Sequence, residues 1–138
     1  MRKLYAMAAA WLLAASAANA GVVFSEDFAT QEAFDAWTLL DVNDDGSTWT
    51  FDPTAESPYK VFYNYNSTNN GDDWLFSPSL TLPAGQYLLK FDTRGSSYGE
   101  MLEIWTGTSA SVGGMATKCF DQTLPYVDMH KSVLFKVE

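Results

Sequence analysis

The sequence predicts an all-β domain, an antiparallel β-sandwich, from three observations. Short runs rich in aromatic and β-branched residues recur along the chain, and clusters of Gly, Asn, Asp and Pro separate them. Two of these runs alternate with the period of a half-buried strand. Only one segment after residue 20 carries a helix signal, and it is about two turns long.

Taken from the N-terminus, Arg2 and Lys3 precede an apolar run from Leu4 to Ala15, and the small-residue stretch Ser16 to Ala20 follows. That order is the pattern of a secretory signal peptide with cleavage expected after Ala20, so residues 1–20 are read as a signal-peptide helix preceding the domain. The apolar run is shorter than a membrane span requires, and no stable insertion is expected once it is removed. Residues 21–138 are then one domain, with no linker, repeat or low-complexity tract to divide them.

Val22 to Phe24 reads as a short strand. Thr30 is placed to cap a brief helix running to Trp37, with Phe34 and Trp37 three residues apart on one face. Strand signals follow at Trp37 to Leu40, Trp49 to Phe51, Tyr59 to Tyr65 and Trp74 to Phe76. Further strands are expected at Gln86 to Asp92, Glu100 to Trp105 and Ser132 to Val137. In the Gln86 segment Tyr87, Leu89 and Phe91 share one face. In the Glu100 segment Leu102 and Ile104 oppose Met101, Glu103 and Trp105. The seven residues Thr93 to Gly99 between these two strands permit a hairpin without dictating one. The last strand has no closing element after it, which predicts an edge position and a fold that continues beyond Glu138.

Charge narrows the partners. The chain carries a formal net charge of −9, and without Arg2 and Lys3 six basic residues face seventeen acidic ones, a balance of −11. Such a surface repels phosphate backbones, so nucleic acid is not an expected partner. It suits divalent cations instead. One cysteine leaves no internal disulfide, and Cys119 beside Phe120 reads as a small core residue.

The most specific local motif is Asp41-Val42-Asn43-Asp44-Asp45-Gly46, which matches the opening of a calcium loop, with oxygen ligands on Asp41, Asn43 and Asp45 and a glycine for the sharp turn. Context argues against an EF-hand. The twelfth position is Asp52 rather than Glu, and Trp49 to Phe51 followed by Pro53 is strand-like. Two readings stay open, a Ca2+-binding β-loop or a plain Asx turn joining two strands. Glu26 and Asp27 are further ligand candidates if the N-terminal strand lies beside this loop. Asp72-Asp73 reads as a solvated turn entering the next strand.

Catalysis is not expected. Glu100 and Glu103 are the carboxylate pair an enzyme would use, but residues three apart in a strand point to opposite faces. The only histidine, His130, has no evident nucleophile to serve. Of the many aromatic residues, Tyr63, Tyr65 and Tyr98 adjoin polar loops and are the candidates for exposed ligand contacts, since aromatic faces bind sugar rings and protein hot spots alike. Asn66-Ser67-Thr68 has the form of an N-glycosylation triplet, which carries little weight.

Five stretches in order carry a family resemblance: Phe24 to Phe28, Trp37 to Trp49, Asp72 to Pro78, Leu82 to Asp92 and Tyr98 to Trp105. Together they resemble the choice-of-anchor J domain, related to the cleaved adhesin domains of gingipains and haemagglutinins from Bacteroidetes. The resemblance implies a jelly-roll sandwich of galactose-binding or MAM-like type, secreted or displayed at the cell surface. It also implies adhesion to an extracellular protein or glycan, and structural calcium at Asp41, Asn43 and Asp45. An accessory role beside a secreted peptidase or glycoside hydrolase, within a longer polypeptide, is the alternative.

Overall fold

The computed structural model describes residues 3–4, 8–14, 21–55, 60–64 and 66–138, the first two stretches by backbone course alone. Its elements in chain order are β1 (Lys3–Leu4), β2 (Ala8–Ala14), β3 (Val22–Glu26), α1 (Gln31–Asp35), β4 (Thr38–Asp41), β5 (Trp49–Phe51) and β6 (Val61–Tyr63). After these come β7 (Asp72–Phe76), β8 (Gly85–Thr93), β9 (Glu100–Gly107), β10 (Met115–Leu124) and β11 (Met129–Val137). The fold is all-β. Among the described residues no helix is long and apolar enough to cross a membrane.

Three sheets organise the strands. One runs β10-β9-β1-β7-β4, the second β11-β8-β2-β3, and β5-β6 form a two-stranded third. The alternation expected in β8 is present: Tyr87, Leu89 and Phe91 are buried, while Gln86 and Lys90 are exposed. Across from them Leu102, Ile104, Phe120 and Leu124 complete one core cluster that draws on both larger sheets. A second cluster gathers Phe28, Phe34, Trp37, Trp49, Phe51, Val61, Trp74 and Phe76. Strand β9 serves both, since Trp105 on its other face packs against the second cluster. Phe24 of β3 likewise touches both.

Helix α1 forms where its cap predicts. The Thr30 hydroxyl accepts from Ala33 N at 3.2 Å, and Phe34 is the residue it buries. Strand β11 pairs along its whole length with β8 and is an edge strand, with Leu134 exposed.

One expectation needs correction, one open point is decided and one strand goes unpredicted. The apolar N-terminal run, read as a helix, has strand backbone over Ala8–Ala14, antiparallel to β3 on one side and β8 on the other. An apolar stretch without a strand or helix period takes the state its surroundings pair with, here an open place between two strands. Strands β8 and β9 are not a hairpin, because the Thr93 to Gly99 link crosses from one sheet to the other, and β9 pairs instead with β10. Strand β10 itself is not legible as a strand: register shifts at Met115/Thr117 and Lys118/Phe120 break the alternation.

Candidate functional site

Strand register places four loops at one end of the five-stranded sheet. Leu124 pairs with Glu100, Met101 and Asp72 both pair with Lys3, and Asp73 pairs with Asp41. The loops after β4, before β7, before β9 and after β10 therefore share that end. At about 4.8 Å per strand spacing they spread over roughly 19 Å.

On the β4–β7 side sits the acidic loop. Asp41 Oδ1 accepts from Asp45 N at 3.3 Å and Asp41 Oδ2 from Gly46 N at 2.8 Å. Asp45 Oδ1 accepts from Ser47 N at 2.8 Å. Gly46 has φ +77, the left-handed conformation the motif's glycine supplies, and Asp44 also sits there at φ 54. A second loop closes over the first: Asn66 Nδ2 donates to Asp45 Oδ2 at 2.8 Å and to Ser47 Oγ at 3.1 Å, and Asn43 Nδ2 donates to Asn70 O at 2.9 Å. The Ser47 N–H first, with the Ser47, Asn69 and Asn43 side chains adding, holds Asp45 below the usual carboxylate range against the opposing effect of burial.

Beneath this loop lies Asp73, 1% exposed rather than solvated as expected. Its strand begins at Asp72, two residues earlier than the aromatic pattern suggests, and both faces of β7 at Asp73 and Trp74 are covered. Burial, with the charges of Asp41 and Asp45 adding, raises its carboxyl, against the opposing pull of the Tyr63 hydroxyl and Asp72 N–H. Tyr63 Oη lies near enough for burial and the Asp73, Asp45 and Asp41 charges to push the phenol well above its ordinary range. Neither Tyr63 Oη nor Asp73 Oδ1 completes a hydrogen bond of normal geometry. Tyr63 is thus no exposed contact. It is half-buried with its ring 5.8 Å from Trp49.

The donor chemistry here suits a hard cation: carboxylates, amide oxygens and a tight loop. The convergence does not follow. Among the described residues no three His, Cys, Asp or Glu side chains come together closely enough to hold a metal ion. Asp41 and Asp45 are turned onto loop N–H groups instead. Glu26 and Asp27 close a turn of their own, accepting from Phe28 N at 2.7 Å and Ala29 N at 3.0 Å, and are not brought into a ligand set with the loop. Asn66 and Asp73 are the residues sequence reasoning missed. An Asn-rich loop ahead of an Asp-Asp pair was the available signal.

On the β9–β10 side the surface is aromatic. Tyr98 is 80% exposed and Tyr126 64%. Arg94 lies 4.0 Å over the Tyr126 ring and reaches Asp128 at 3.7 Å. Gly95 N donates to Pro125 O at 3.0 Å, locking the two loops together. Only glycine fits there, because a Cβ would stand 2.0 Å from Leu124 O. Nearby, His130 Nδ1 and Asp92 Oδ1 pair across β11 and β8. Tyr65 lies outside the described residues.

Glu100 and Glu103 each have hydrogen-bond partners. Glu100 accepts from Ser96 Oγ at 2.9 Å. Glu103, 3% exposed, accepts from Lys118 Nζ at 2.9 Å and Trp105 Nε1 at 3.0 Å. Burial pushes the Cys119 thiol up to about 11, so it is protonated at neutral pH. The chain matches no family model, no curated protein and no solved structure.

Proposed function

We propose that the chain is a secreted or cell-surface binding module with a jelly-roll sandwich fold, recognising an extracellular protein or glycan and catalysing no reaction on it. The observation that carries this reading is the pair of joined loops, Arg94 to Gly99 and Pro125 to Asp128, which present Tyr98, Tyr126 and Arg94 at one end of the sheets. Exposed aromatic rings beside a guanidinium suit sugar faces and protein hot spots. The core shared by the two larger sheets supports the sandwich, and the signal-peptide pattern of residues 1–20 supports export. The resemblance to choice-of-anchor J and cleaved adhesin domains points the same way.

A structural calcium ion at Asp41, Asn43, Asp45 and Asp73 belongs to the same proposal, and binding it requires the Asp41 and Asp45 carboxylates to turn off the loop N–H groups that hold them here. Its support is the buried, unpaired Asp73 Oδ1 below two further carboxylates, a charge arrangement that a divalent cation relieves. An array of glycans and matrix proteins, probed with the full chain, tests the binding role. Hits weakened at least tenfold by Tyr98→Ala or Tyr126→Ala are expected. Hits indifferent to both substitutions would remove this surface from the function.

A further inference from the structure

Both larger sheets are bridged by the segment that the export reading removes. Among the described residues strand β2 alone links β3 to β8 in the sheet β11-β8-β2-β3, and β1 links β7 to β9 in the other. Excision of residues 1–20 leaves β3 and β8 facing each other across two strand spacings, about 9.6 Å, with a row of backbone N–H and C=O groups unpaired on each side. The gap does not close by simple drift of β3. Phe24 is anchored in both core clusters, with its ring 6.3 Å from that of Trp37.

We propose that the place between β3 and β8 is a strand-acceptor slot, filled in the processed protein by an extended, apolar, proline-free segment supplied from outside residues 21–138. The proposal rests on the export reading given above. The chemistry of the occupant follows from the register. Position 12 lies level with Phe24 on one side and Leu89 on the other, and position 14 lies level with Tyr87. Leu89 and Tyr87 are 6% and 4% exposed. An incoming strand therefore needs apolar residues at these two alternate positions, and it runs antiparallel to both neighbours. It also needs an N–H at every ladder position, which proline lacks. Main-chain bonding on both sides gives affinity, and the two apolar positions give selectivity, as in strand addition to a sheet generally.

The test uses the full chain with a protease site placed within residues 15–20, folded intact and then nicked. The probe is a fluorescent synthetic peptide of residues 8–14 with lysine flanks, compared with the same peptide carrying Leu12→Pro. The nicked protein is expected to take up the wild-type peptide, the intact protein to refuse it, and the proline peptide to bind at least tenfold more weakly. Amide exchange should show protection of 22–26 and 85–93 falling on removal of the fragment and returning with peptide, while β10 stays protected. Equal uptake of both peptides overturns the slot. So does undiminished protection without peptide, which means β3 has closed onto β8, and so does loss of protection throughout the chain. N-terminal sequencing of exported protein tests the export reading separately: a start at Gly21 supports a vacated slot, and a start at Met1 means that it stays filled in cis.

Discussion

Asp73 and Glu103 are both buried acids, on the two strands that flank β1, yet their surroundings treat them oppositely. Glu103 receives an ammonium and an indole N–H. Asp73 keeps one oxygen unpaired and feels the charges of Asp41 and Asp45. A buried charge with partners is a structural device, whereas one left unpaired costs stability and marks a place where a cation would be favoured. The difference is testable from both sides.

The largest effect is expected on the paired side. Glu103→Ala opens a cavity and strands Trp105 Nε1, and should cost about 2–4 kcal/mol in chemical denaturation. Lys118→Met should destabilise in the same direction, and more than Asp121→Asn, although Lys118 bonds both acids. A melting midpoint unmoved by Glu103→Ala would erase the contrast.

On the unpaired side, calcium should stabilise the fold by about 2.7 kcal/mol at a hundredfold excess over Kd, read as a raised melting temperature that EDTA reverses. Asp41→Ala and Asp73→Asn should each abolish the response. An unchanged midpoint in wild type would leave the loop a plain hydrogen-bonded turn.

Without calcium, Asp73→Asn should stabilise at neutral pH by about 1 kcal/mol, since it removes a buried charge and keeps the shape. The pH dependence has a definite sign. Burial raises Asp73 in the folded state, so the folded chain takes up its proton before the unfolded chain does. Its cost is full at neutral pH and is relieved as pH falls through the raised value toward the unfolded value of about 3.9. Melting curves from pH 7 to 4 should show wild type gaining on Asp73→Asn. Asp45, held low, acts in the opposite sense: its contribution is present above the unfolded value and is lost as pH falls through the folded one.

The smallest effect on stability is expected at the aromatic end. Tyr98→Ala should change the midpoint within about 0.5 kcal/mol, because the ring is exposed. A large loss of stability there would mean that Tyr98 holds the loops together and does not serve chiefly as a contact surface.

Much of this was legible from residue order. The faces of β8 and β9, the Thr30 cap and the Asp41 to Gly46 turn are properties of neighbours a few residues apart, and alternation, capping and turn chemistry act at that range. Bulges hid β10, because each inserted residue reverses the parity on which strand recognition depends. The acidic centre was half visible: Asp41, Asn43 and Asp45 stand in a motif, while Asn66 and Asp73 join them only through pairing of β4 with β7 and closure of a distant loop.

The sequence by itself determined an all-β chain and the inward and outward faces of its clearest strands. Tertiary structure alone decided the sheet order, the burial of Asp73, the separation of β8 from β9 and the strand course of the N-terminal run. The reason is one of range. A strand's pattern says which side faces a core, but every backbone edge offers the same donors and acceptors, so the choice of partner is left to the packing of the whole.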